Sequence, residues 1–407
     1  MKKYYPLFAG AFFFVLGGTV LGFSLIYGLT DWFSFNPAQI GSFMALGQVA
    51  FFLGCTLYHK LGSHVHPIKT FSVSSALVFI AALLLSLVRF QYVTYAAYWM
   101  IMLSTGFFWP PVTAWFTGGL DNLELNRTLS VYNRSWMAAN IIGPLIAGNL
   151  YRWNSGAPLI LANLSYLMVC VCIAVVRHQQ KPKVALPLKP GTGEAGPTPI
   201  EEEKPEIIRE LDKKLDSYRY RAWVGVFGSA MFLGALLNIM PLHIRDGLGY
   251  SESTAGIILF FRCVASFGSF TILAKFSSWH FKGYWFILVQ SSLLVTALLL
   301  LIAGNSLPII AIIVVLFGFF DALSYNNSIF YSGATGKSSK KNMAVQEIII
   351  GSGLASGTAM GGFLYQHFSI SGMGLGLILF LSAILTIFII IARKEKASAP
   401  RSSPASS

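Results

Sequence analysis

Two charges lie deep in apolar sequence, where a charge is costly and is retained for a reason. Asp321 stands 13 residues beyond the start, at Pro308, of its apolar run, a depth of about 20 Å in a helix. Arg262 is the tenth residue of the run that starts at Ser253, about 15 Å from the same side. A carboxylate and a guanidinium at such depths can reach one another, and two kinds of chemistry follow. The pair either neutralises two buried charges structurally, or it opens when a substrate or a proton arrives. Asp321, Ser324, Tyr325 and Ser328 share one helical face by their spacing. Thr105, Trp109 and Thr113 form a similar stripe, kinkable at Pro110-Pro111, and Tyr27 and Asn238 are weaker polar candidates. Asn133, Trp136 and Asn140 make a third stripe with Arg134 alongside, and Gln346 and Glu347 lie at the corresponding depth of a later run. Arg134 and Glu347 are about one turn from the ends of their runs, so they either snorkel to water or form a charged gate.

Positioning these residues requires membrane-spanning helices. Hydrophobic residues make up 55% of the 407 and charged residues 11%, a balance foreign to soluble domains. Twelve stretches reach the roughly 20 apolar residues that cover a bilayer core: 6–28, 37–57, 70–88, 92–117, 129–151, 155–176, 222–244, 253–274, 284–303, 308–331, 343–365 and 370–392. The first, preceded by Lys2 and Lys3, is too long for a secretion signal and reads as a retained helix. Of the 29 Lys and Arg, 24 fall on the side of the two termini and only Arg89, Arg152 and Arg245 opposite. Basic loops mark the cytoplasm, so both termini are expected there. The net charge of +13 follows from that topology and implies no nucleic-acid partner.

One polar segment interrupts the spans. Residues 177–221 begin as a Pro- and Gly-rich tether and end, after Pro205, with Ile207, Ile208, Leu211, Leu215 and Tyr218 at the spacing of a short amphipathic helix. Six spans precede it, in 1–176, and six follow, in 222–392, before a tail at 393–407. The halves also resemble each other. An offset of 215 aligns Gly10 with Gly225, Asp31 with Asp246, Gly41 with Gly256 and Lys60 with Lys275. An offset of 212 aligns Gly106-Phe107-Phe108 with Gly318-Phe319-Phe320, which puts Trp109 at the position of Asp321 and Thr113 at that of Tyr325. An offset of 214 aligns Gly143, Gly148, Leu150 and Tyr151 with Gly357, Gly362, Leu364 and Tyr365. The fold class is therefore all-α: twelve transmembrane helices in two parallel-repeated six-helix bundles.

Over its whole length the chain resembles the major facilitator superfamily. Gly143-Pro144-Leu145-Ile146-Ala147-Gly148 is similar to that family's span-five signature, commonest among antiporters. The signature between spans two and three is degraded: Gly54 matches its first glycine, Gly62 falls one residue late, and Tyr58 and His59 stand where Asp and Arg are usual. The resemblance implies that spans one, four, seven and ten line a central cavity, with the Trp109 and Asp321 stripes facing each other across it. Small residues at every fourth position, Gly353, Gly357 and Gly361 in span eleven and Ala139, Gly143 and Ala147 in span five, let helices approach closely. They serve either as static packing or as a surface on which the halves rock; Pro144 can bend span five.

No phosphate-binding loop, dinucleotide fingerprint or metal-binding His-Glu helix occurs in the sequence, so no enzyme activity, cofactor or metal is expected. Cys55, Cys170, Cys172 and Cys263 lie in or at the ends of spans and read as small core residues. The expected function is secondary transport of a small solute by alternating access, coupled to protons, by a monomer in the plasma membrane (the inner membrane of a Gram-negative cell). A sensor built on a transporter scaffold is the alternative. Trp109, Tyr325, Asn140 and Asn326 suit a sugar or nucleoside, Arg262 and Arg134 an organic anion, and the aromatic content an exported amphipathic drug; import and export stay open.

Overall fold

A computed structural model describes residues 5–61, 65–117, 122–179, 206–273, 279, 281–333 and 339–398. Among them there is no strand. The helices are α1 (Tyr5–Phe33), α2 (Pro37–Leu61), α3 (Pro67–Leu87), α4 (Gln91–Thr117), α5 (Asn122–Trp153), α6 (Ala157–Gln179), α7 (Glu206–Leu242), α8 (Glu252–Leu273), α9 (Tyr284–Ala303) and α10 (Leu307–Gly333). The last run, Ser339–Ser398, is two helices meeting at Ser369, whose φ of 58° and ψ of −164° break the ladder. They are numbered α11 (339–368) and α12 (370–398). Nine helical segments of the described residues are long and apolar enough to span a membrane, the last of them, 52 residues, spanning the Ser369 break. The helix expected after Pro205 is not a separate short one: α7 starts at Glu206 and runs without a break into the seventh span.

Local chemistry repeats with the sequence offset. At the start of α2, Asn36 and Gln39 cap reciprocally, each side chain bonding the other's backbone N–H at 2.9 Å, with Pro37 in the first turn. At offset 215, Ser251 and Thr254 start α8, where Thr254 N–H donates to Ser251 Oγ at 3.4 Å. The residue that reverses the chain before each cap has a left-handed backbone, Ser34 at φ 55° and Gly249 at φ 73°. Both turns are built alike because the same short connection must follow the same helix end.

By contacts the chain divides into two compact units, residues 1–34, 46–216 and 251–260 in the first and 35–45, 217–250 and 261–407 in the second. Inside the first, Phe14 stacks on Phe108 at 3.9 Å between ring centroids, and Phe14 and Phe71 complete an aromatic core with Tyr166. Phe232 and Phe317, 4.5 Å apart, sit at the centre of the second. Outward-facing Val73, Ile80, Ile160, Ile302 and Leu379 are all more than half exposed, an apolar surface that only lipid would cover.

Glycine decides where helices touch. In the first unit Gly148 of α5 lies against the backbone of Glu252 and Gly256 in α8. In the second, Gly41 of α2 lies against Thr358 and Gly362 of α11. The offsets that pair Gly41 with Gly256 and Gly148 with Gly362 thus pair two equivalent crossings. Gly353, Gly357 and Gly361 pack on Ala230, Met231 and Ala235 of α7 within the second unit, and Gly143 on Thr19 of α1 within the first. These contacts are intra-unit packing. Gly357→Ala would drive a methyl into the Met231 backbone and should cost about 1–3 kcal/mol of stability. Gly22→Ala, with open space beside it, should be neutral or stabilising in the same thermal-unfolding measurement.

Candidate functional site

The second unit brings together α7, α8 and α10 around Asp321. Ser229 of α7, wholly buried, lies beside the Asp321 carboxylate while its hydroxyl donates to the Val226 carbonyl of its own helix at 3.3 Å, and Arg262 of α8 acts on the carboxylate through charge. Arg262 does not close on Asp321 as an ion pair: among the described side chains that distance is met by Arg245 and Asp246, at 2.6 Å. The guanidinium instead donates to Cys263 Sγ at 3.2 Å, a weak acceptor, and its buried Nε has no partner. The expected Arg262–Asp321 proximity is therefore present without the expected contact. Backbone packing explains the placement. Gly318, one turn before Asp321, lies against the Arg262 carbonyl, and Ser266 donates to the Gly318 carbonyl at 2.8 Å. A side chain at position 318 would push α8 and α10 apart.

Farther along α10, Tyr325 meets the ring of Phe270 edge-on, with centroids 6.1 Å apart. On α7, Asn238 donates to the Gly234 carbonyl at 2.8 Å and to Thr358 Oγ1 of α11 at 3.1 Å. Asn238 thus ties two helices together.

The first unit has the same scaffold with other chemistry. Trp109, at the repeat position of Asp321, packs edge-on against Phe14 at 5.4 Å and Phe108 at 5.2 Å. Phe14 is itself the repeat partner of Ser229 by the 215 offset. An aromatic pair therefore occupies the place that a hydroxyl and a carboxylate take in the second unit. Gly47 is the repeat counterpart of Arg262, and Tyr98 fills the space beside it. Asn140 accepts from Thr19 Oγ1 of α1 at 3.3 Å. Arg134 and Glu347 are both exposed on their helices. The side chain of Thr113 lies outside the described residues, although α4 continues helical through Pro110 and Pro111. No group of His, Cys, Asp and Glu among the described residues could hold a metal ion.

Sequence reasoning passed over Ser229, whose only signal was a small polar residue one helix away from the acid. It also passed over Cys263 as a ligand of the guanidinium, having read that thiol as core.

Residues 7–335 match the Major Facilitator Superfamily, and the chain belongs to that family. No curated protein matches it. Among solved structures it is similar to a bacterial homologue of the human lysosomal transporter Spinster in an inward-facing, occupied conformation, with a TM-score of 0.73, 13% identity and 99% of each chain covered. It is also similar to a peptide transporter, POT, in complex with sulfate (TM-score 0.71, 12% identity, 96% of this chain and 95% of the other). A POT family transporter in complex with 5-aminolevulinic acid gives a TM-score of 0.73 at 12% identity over the same shares. The fold is that of the major facilitator transporters, and the chain is a multi-pass membrane protein of a secondary transport family.

Proposed function

We propose that the chain carries a small solute bearing an anionic group, by alternating access of two six-helix halves (1–176 and 222–392, joined through 177–221), and that Asp321 couples transport to protons. The observation that carries this reading is the unfilled valence of Arg262: its buried Nε lacks a partner while its fork meets only a thiol. A guanidinium is a fixed charge with five donors and matches carboxylate or phosphate oxygens two at a time. Bonded to a thiol alone, Arg262 keeps strong donors that such oxygens would suit. Asp321, beside Ser229 and within the field of Arg262, is the neighbouring group able to take up a proton when an anion reaches the guanidinium. Trp109, Tyr325, Asn140 and Asn238 would contribute the remaining contacts, with Arg134 and Glu347 as gate charges.

A thermal-shift screen of the purified protein against metabolite classes tests the substrate class, because ligand binding raises apparent stability. Carboxylates or phosphates should stabilise the wild type and leave Arg262→Gln unmoved; stabilisation only by uncharged sugars or nucleosides would reject the anion reading.

The orientation follows from the basic loops, with both termini in the cytoplasm of a cell whose plasma membrane holds the protein. In a background free of the four native cysteines, Tyr92→Cys and Tyr250→Cys should react with an impermeant maleimide added outside intact cells. Lys69→Cys and Lys282→Cys should react only after lysis. The reverse pattern would invert the orientation.

A further inference from the structure

His243 closes α7 at the end remote from the Glu206 start, in a single π turn, His243–Gly247. Its ring is 4% exposed. Nε2 lies 2.9 Å from the Gly304 carbonyl oxygen, in the α9–α10 turn, and Nδ1 lies 3.2 Å from the Tyr365 hydroxyl of α11. A carbonyl can only accept, so Nε2 carries a hydrogen; in the neutral ring Nδ1 is then an acceptor, and Tyr365 donates to it. Gly247 leaves the room for this: a Cβ there would stand 2.6 Å from Nδ1 and 3.2 Å from the Tyr365 hydroxyl.

The other charged or titratable groups facing the ring are few. On its own turn are Arg245 and Asp246, paired at 2.6 Å, and the Asp246 carboxylate acts on the Tyr365 hydroxyl. The α9–α10 turn, residues 303–306, has no titratable side chain. On α11 the next one, His367, packs on Phe363 and Phe368.

The internal repeat supplies the comparison. The 215 offset pairs Gly28 with His243, Asp31 with Asp246 and Trp32 with Gly247, and the 214 offset pairs Tyr151 with Tyr365. In the first unit small and large residues have changed places: Trp32 fills the space beside Gly28, and no imidazole is present to accept. There the Tyr151 hydroxyl donates to Asp31 Oδ2 at 2.7 Å. The same scaffold thus has a second acceptor for the tyrosine hydroxyl, one that the second unit leaves paired with Arg245.

We propose that His243, Tyr365 and Asp246 form a proton-binding site separate from Asp321. A proton from solvent, arriving past the half-exposed Asp246, bonds to Nδ1 and makes the ring an imidazolium. Nδ1–H then donates to the Tyr365 oxygen, the Tyr365 hydroxyl turns its own hydrogen to Asp246, and Nε2–H stays on the Gly304 carbonyl. No other bond is made or broken. The positive ring, the tyrosine and the carboxylate become one chain of hydrogen bonds, as Tyr151 and Asp31 already are in the first unit. The site would respond to the medium at the α7–α8 turn, which the half-exposed Asp246 faces.

The test is an NMR titration of the full chain in lipid nanodiscs with 15N-labelled histidine, the His243 signals being those lost in His243→Gln. That variant should fold as the wild type, since an amide can donate to Gly304 and accept from Tyr365. At high pH His243 should appear as the Nε2–H tautomer with an accepting Nδ1, and convert to imidazolium as pH falls. Asp246→Asn should lower the conversion midpoint by about one pH unit, because the carboxylate that completes the charged chain is gone. In a Tyr365→Phe background the same substitution should shift the midpoint much less, because the relay passes through the hydroxyl. A His243 that stays neutral down to pH 5, a midpoint indifferent to Asp246→Asn, or a shift undiminished by Tyr365→Phe would overturn the proposal.

Discussion

Asp321→Asn should abolish accumulation of substrate against its gradient while leaving exchange of internal for external substrate measurable in proteoliposomes. The amide keeps the shape of the side chain, but it cannot bind and release a proton. At a driving potential of 100 mV one coupled charge is worth about 2.3 kcal/mol, roughly a 50-fold concentration ratio by the tenfold-per-1.4 kcal/mol rule. The ratio should fall to about one in the variant. Exchange needs only that the loaded carrier turn over, so it should survive. Accumulation at the wild-type ratio would exclude Asp321 as the coupling acid and leave it a structural partner of Ser229 and Arg262.

Arg262→Gln should weaken binding of the anionic substrate by about 10- to 100-fold, the worth of a hydrogen bond to a charged group. The double variant, Arg262→Gln with Asp321→Asn, separates the two roles of the arginine. Removing one of two interacting buried charges leaves the other uncompensated, and removing both relieves that penalty. Folded yield should therefore recover in the double variant whatever the function. Transport should not, because the acceptor for the anion is missing. The absence of a closed ion pair strengthens this expectation: a guanidinium already committed to Asp321 would have a structural task, whereas one bonded to Cys263 Sγ at 3.2 Å has its stronger bonding capacity unspent. A double variant with wild-type transport would remove both residues from the site.

The coupling proposed at Asp321 and the proton binding proposed at His243 are read by different measurements. Accumulation reports the first and a histidine resonance the second. Failure of one leaves the other intact.

The sequence by itself determined that the chain is built of long apolar helices, because the bilayer admits so few solutions: each span must be long, apolar and internally hydrogen-bonded. It also determined the repeat, and with it the positions that matter. Gly41 and Gly256, Gly148 and Gly362, Asp31 and Asp246 could all be paired by offset alone, since the same contact in two halves demands the same small or polar residue. That Arg262 and Asp321 are neighbours was legible for a similar reason, helical rise being uniform. The tertiary structure decided what periodicity carries no information about: which neighbour each face meets. Only there did Gly353, Gly357 and Gly361 prove to pack on α7, Ser229 to lie beside Asp321, and Arg262 to turn toward a thiol instead of the nearby acid. The α7 start likewise escaped the sequence, because a polar amphipathic segment and the first turns of a longer helix have one and the same pattern. Side-chain partners across helices depend on rotation about each axis and on the close approach that a glycine such as Gly318 permits. Those quantities exist only once the helices are packed.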